Sequence, residues 1–136
     1  MKTVTFPYQK LTSLMLMPML PIRLERLERG FDTVALVDSG ASISVLPHSI
    51  GLALGCNWDE AKKGVSLGGS YSSDDTRVIA LNVFVPEFQK KAISFLWLPN
   101  DNARLLLGQA HFFQYFDVCF SGNKQEFYIR EPQVNT

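Results

Sequence analysis

Val34-Ala35-Leu36-Val37-Asp38-Ser39-Gly40-Ala41-Ser42-Ile43-Ser44-Val45-Leu46-Pro47 reads as strand, turn and strand in quick succession. An apolar run delivers a carboxylate, Asp38, to a turn where Gly40 lets the backbone bend tightly and the Ser39 hydroxyl can tie down neighbouring backbone. An acid is thereby carried on a rigid support. The β-prone run Ile43 to Leu46 follows, and Pro47 suits the first position of a short helix that reaches Leu54 and stops at Gly55. The Asp-Ser-Gly triplet alone has little weight, because Asp-Ser/Thr-Gly arises by chance in about one chain in twenty of this length. Its simplest meaning is a turn after a strand.

Working outward toward the N-terminus, Leu20, Ile22 and Leu24 alternate with Pro21, Arg23 and Glu25, giving one apolar and one polar face at period two. Glu28-Arg29-Gly30 supplies a turn, and Phe31 to Val37 runs nearly continuously apolar, as a strand buried on both faces would. A short helix over Leu24 to Glu28, suggested by its Leu, Glu and Arg content, competes with the extended reading. Toward the C-terminus, Gly64 to Asp75 is rich in Gly, Ser and Asp, as in a loop or hairpin tip. Leu81, Val83 and Val85 alternate in one strand and Ile93, Phe95 and Trp97 in the next, joined through Pro86 to Lys91. Pro99-Asn100-Asp101-Asn102 is a turn cluster before Leu105-Leu106-Leu107-Gly108. Gln109 to Tyr115 reads as a short helix, and Asp117 to Phe120, Ser121 to Lys124 and Gln125 to Arg130 as strand, turn and strand. Some seven short strands with one or two short helices predict an all-β fold, a barrel or sandwich.

Composition bounds the function. The 136 residues carry 13 Lys and Arg against 13 Asp and Glu, with 46% hydrophobic and 19% charged residues. That is globular usage, and one domain spanning residues 1–136 is expected. Zero net charge supplies no broad basic field, so general nucleic-acid binding has little electrostatic support, with local patches left open. The most apolar stretch, Leu11 to Ile22, is interrupted by Pro18 and Pro21 and is shorter than the roughly 20 residues a membrane span needs. It also lacks a secretory cleavage pattern. These features predict a soluble cytoplasmic protein with no membrane span, in which Cys56 and Cys119 are reduced core thiols.

Two further segments add weight to the Asp38 triplet. The stretch Val34 to Pro47 resembles the active-site strand and loop of retropepsin-like aspartic proteases, and Leu106-Leu107-Gly108 resembles that family's later apolar-apolar-glycine motif. Phe112, Phe113 and Phe116 fall in its helix region, and Gly64 to Asp75 falls where the family has its flap. The resemblance spans roughly residues 20 to 130, and the ordered set is far more specific than any one piece. It implies a small closed barrel, active as a twofold homodimer. By position it makes Asp38 the catalytic aspartate, with Ser39 and Gly40 completing the triplet and Ala41 the fourth position of the retroviral type. Ser39 stands where threonine is more frequent but keeps the hydroxyl that the family's interlocking loops use. Gly68 and Gly69 fall as flap-tip residues and Tyr71 as a flap side chain, so that Ala41, Gly68, Gly69 and Tyr71 are the substrate-binding candidates.

The implied chemistry needs two carboxylates sharing one proton, and only one Asp-Ser/Thr-Gly is present, so each subunit of a homodimer would contribute one Asp38. In the family, chain termini commonly supply interface strands. Met1 to Tyr8 and Gln125 to Ile129 are candidates here, with pairing inside the subunit as the alternative. The substrate would be an extended peptide or protein segment, with no cofactor.

The remaining chemistry-bearing residues have plainer readings. Asp32 and Asp117 are turn, cap or surface carboxylates, and Asp74-Asp75 point to opposite faces of any strand that carries them. His48 and His111 lack the companions and spacing of a zinc site, so no metal is expected. Gly68-Gly69-Ser70 lacks the lysine and length of a phosphate-binding loop. Arg23, Arg26 and Arg29, interleaved with Glu25 and Glu28, form a solvated neutral face, and Phe112, Phe113, Tyr115 and Phe116 belong to helix and core. Two other function classes stay open: a retropepsin-fold binding or dimerisation module without catalysis, and an unrelated small barrel whose triplet is only a turn.

Overall fold

The computed structural model describes residues 2–64 and 75–132. The alternation at Leu20, Ile22 and Leu24 becomes β4 (Met19–Arg26), with those three side chains buried. The chain reverses at Leu27 and Glu28 into β5 (Arg29–Val37), paired antiparallel from Arg26 opposite Arg29 to Met19 opposite Leu36. The turn therefore precedes the Glu28-Arg29-Gly30 position expected from composition, and Leu27 adopts the left-handed φ of 54° that it requires. The competing helix over Leu24 to Glu28 does not form, because burying Leu24 in the ladder outweighs the segment's helical content.

β5 also corrects the expectation of burial on both faces: Ala35 and Val37 are buried, whereas Val34 is exposed. A barrel strand has a single inward face, and Val34 lies on the other, 38% exposed.

The second long hairpin is β8 (Arg77–Phe84) with β9 (Lys91–Trp97), the expected pair. Between the hairpins lie the short β6 (Ser44–Leu46) and β10 (Leu106–Leu107). The order β4-β5-β10-β6-β9-β8, with β8 pairing back onto β4, closes a six-stranded barrel. Closure removes the free edges on which other chains could pair. Leu20, Leu24, Val37, Leu46, Phe95 and Leu107 fill its interior. β7 (Lys62–Lys63) lies against β8.

Two helices seal the barrel. α1 (His48–Ala53) is one residue shorter at each end than expected, with Pro47 as its extended N-cap rather than its first residue and Leu54 as its C-cap, and it stops as expected at Gly55, in the left-handed region at φ 78°. Gly51 sits against the Trp97 indole, where an added Cβ would fall 2.3 Å from ring atoms. The short α2 (Phe112–Tyr115) buries Phe112, and Phe116 follows it into the core.

A three-stranded sheet joins the termini. β11 (Asp117–Ser121) and β12 (Glu126–Arg130) form the expected hairpin, and β1 (Thr3–Pro7) pairs along β12 from Thr3 opposite Arg130 to Pro7 opposite Glu126. The N-terminal segment is thus paired within its own subunit. Phe6, Phe127 and Ile129 face the core, whereas Cys119, in register with Tyr128, lies on the exposed side. Cys119 is therefore not the core thiol expected; strand alternation turns it outward while Cys56 is buried.

One element escaped the sequence reading. Gln9–Thr12 (β2) and Met15–Met17 (β3) form a hairpin of their own ahead of β4, overlapping the start of the apolar stretch. No helix among the described residues is long and apolar enough to cross a membrane.

Candidate active site

The connection from β5 to β6 does not join neighbours. β10 lies between them, parallel to β5 at Leu106 opposite Leu36 and antiparallel to β6 at Leu106 opposite Val45. Residues 38–43 must therefore arch over the end of β10 at Gly108. The glycine is required there, since a Cβ would fall 2.7 Å from the Ile43 carbonyl oxygen and 2.8 Å from that of Ala41. This close approach is the physical content of the apolar-apolar-glycine motif.

Backbone hydrogen bonds hold the arch from both sides. Asp38 N–H donates to the Leu107 carbonyl (3.0 Å), Gln109 N–H to Ala41 (2.8 Å) and Ala110 N–H to Ser42 (3.1 Å). The buried Ser44 hydroxyl oxygen accepts from Gly108 N–H at 3.0 Å. Within the turn, Ala41 N–H donates to the Asp38 carbonyl (3.2 Å). Gly40 N–H donates to Asp38 Oδ1 at 2.9 Å. One carboxylate oxygen is thereby fixed to the loop, and Asp38 is half-buried between exposed Ser39 and Gly40 and the barrel mouth.

A further contact comes from a residue that sequence reasoning did not single out. Gln109 Nε2 donates to the Ser39 carbonyl oxygen at 2.7 Å, across 70 residues of sequence. Gln109 directly follows the glycine motif, and that position was the available signal.

The structure brings Asp38, Ser39, Gly40, Ala41 and the Leu106-Leu107-Gly108 motif into one constellation. Gly68, Gly69 and Tyr71 lie outside the described residues. The plainer reading as surface carboxylates holds for Asp32 and Asp117, and other residues have partners of their own. Asp32 pairs with Arg23 (3.1 Å) and Asp117 with Arg130 (3.2 Å), all exposed to solvent. Asp75 pairs with Arg77 (2.6 Å). His48 stacks on Trp97 with ring centres 5.3 Å apart, and its Nδ1–H donates to the Leu98 carbonyl at 2.9 Å. Asp101 accepts from Ser49 N–H (2.9 Å) at the start of α1, and that bond holds its carboxyl below the usual range.

No protein-family model matches the sequence, and no curated protein matches it. Similarity lies at the level of structure. A retropepsin-like aspartic protease from Rickettsia conorii superposes with a TM-score of 0.67 over 94% of this chain and 89% of its own, at 16% identity. EIAV protease complexed with the inhibitor HBY-793 superposes with a TM-score of 0.55 over 72% of this chain and 86% of its own, at 18% identity. The chain has the retropepsin-like fold, an all-β closed barrel with two short helices among the described residues.

Proposed function

We propose that the chain is a single-domain aspartic endopeptidase, active as a homodimer in which each subunit contributes one Asp38. The observation that carries this is the anchoring of Asp38 Oδ1 by Gly40 N–H on a loop braced over Gly108. Holding one oxygen fixes the orientation of the carboxylate, and the proposed chemistry uses the other.

With two Asp38 groups across a twofold axis, one proton is shared between them, because two like charges about 3 Å apart cannot both ionise. The ionised member takes a proton from water as that water attacks the peptide carbonyl carbon, and the protonated member donates to the carbonyl oxygen. The tetrahedral intermediate then collapses as the newly protonated carboxyl donates to the departing nitrogen and the other carboxylate takes a proton from one of the intermediate's hydroxyls, which releases the two peptide ends and restores the shared proton. Ser39 and Gly40 hold the loop, Ala41 adjoins the substrate, and Gly68, Gly69 and Tyr71, carried on the resemblance alone, contact it from the flap. No cofactor enters. A cytoplasmic setting belongs to the same proposal, supported by two cysteines that remain free thiols.

The test is cleavage of an unstructured peptide library from about pH 4 to 7, the range in which a shared-proton pair works. Wild type should yield products that Asp38→Asn, folded by circular dichroism, does not. Equal yields from both proteins would refute the assignment.

A further inference from the structure

We infer that the β2–β3 hairpin is a dimerisation arm whose apolar tip packs on a second copy of this chain; this rests on the homodimer proposed above. Its location comes from register. Val37 N–H donates to the Pro18 carbonyl at 3.0 Å, so the residue that ends the hairpin and opens β4 stands beside the residue preceding Asp38. The arm leaves the barrel at the Asp38 end, about one interstrand spacing, near 5 Å, from the strand that carries the carboxylate.

Surface chemistry selects the occupant. Leu14, Met15 and Leu16 are consecutive and 96%, 50% and 42% exposed. Residues 9–17 contain one charged side chain, Lys10. Consecutive exposed apolar side chains on an almost uncharged arm mark a contact surface, and methionine suits such a surface because it repacks easily.

The site demands a second copy at this end of the molecule, since one chain holds one Asp-Ser-Gly and the chemistry needs two. An axis that brings two Asp38 carboxylates together also brings together what stands beside them. The arm has length to project: the four residues of β2 extend about 13 Å at roughly 3.3 Å per residue. The N-terminal strand is already paired with β12 of its own subunit, and β12 also pairs with β11, so both terminal segments expected to join subunits are engaged internally. Zero net charge leaves no strong repulsion between copies.

Leu27 provides the control. It is 86% exposed like Leu14, but lies at the opposite end of the β4–β5 hairpin from Asp38. Sedimentation equilibrium over a concentration series should show the dimer dissociation constant rising at least about tenfold in Leu14→Asp, the loss typical of a buried anchor, with Leu27→Asp matching wild type. Circular dichroism should show both variants folded, as neither residue contributes to the core. Unchanged dimerisation in Leu14→Asp overturns the arm, as does equal weakening by both substitutions. A rise in KM for peptide without a change in dimerisation assigns the tip to substrate and also overturns it. The readout is independent of catalysis: a dimer that depends on Leu14 but cleaves nothing keeps the arm and removes the protease, a cleaving dimer indifferent to Leu14 does the reverse, and a wild type that stays monomeric removes both.

Discussion

At the scale of single residues, the two cysteines share a side-chain chemistry but not an environment. Burial raises the Cys56 thiol above its ordinary range, only partly offset by the Arg26 charge, so it stays neutral further into alkaline solution. Cys119 lies exposed on β11. Titration of the native protein with an aromatic disulfide at pH 8 should therefore label Cys119 quickly and Cys56 only on unfolding; two thiols reacting at one rate would contradict the packing described. Asp38 and Gln109 show the same dependence on surroundings. The Asp38 triplet could be picked out as a strand-ending turn, and the place of Gln109 directly after the glycine motif marked that residue, but nothing local to it specifies its partner, the Ser39 carbonyl 70 positions away.

At the scale of elements, Gly108 decides whether the loop can cross β10. A methyl group there meets two backbone carbonyl oxygens rather than a side chain able to swing aside. Gly108→Ala should cost about 1–3 kcal/mol, the usual penalty of overpacking, measured by urea unfolding, and should lower peptide cleavage further by displacing the Asp38 turn. A variant with wild-type stability and activity would show that the loop does not need this close approach. The same scale explains which strands were legible. β4, β8 and β9 announce themselves by alternation, because each half-buried strand writes its two faces into the sequence, and β11 and β12 by the turn cluster between them. β2 and β3 do not: Leu14, Met15 and Leu16 are continuously apolar yet exposed, and the half-buried and exposed positions of β2 alternate without a matching apolar-polar pattern in Gln9-Lys10-Leu11-Thr12.

At the scale of the whole molecule, the barrel presents one Asp38 loop and no second Asp-Ser/Thr-Gly, so activity should depend on association. Specific peptidase activity should rise with protein concentration below the dimer dissociation constant and level off above it; a specific activity independent of concentration down to the most dilute measurable sample, with a monomer in sedimentation, would mean that one chain suffices. The termini illustrate how assembly and fold compete for the same strands. Thr3 to Pro7 has the β-prone residues of an interface strand, but its hydrogen bonds are made with β12 of the same chain.

From the sequence by itself came the period-two strands, the strand-turn-strand around Asp38, the glycine after Leu106-Leu107 and the globular, charge-balanced character. All of these are local or compositional: backbone preference and face alternation act over a few residues and leave their mark there. Only the tertiary structure decided that β10 inserts between β5 and β6, that the terminal strand turns inward to β12, that Cys119 faces solvent and that an apolar hairpin stands beside the Asp38 loop. Those outcomes depend on which strand edges are satisfied by segments distant in sequence, a cooperative choice made by the folded chain as a whole.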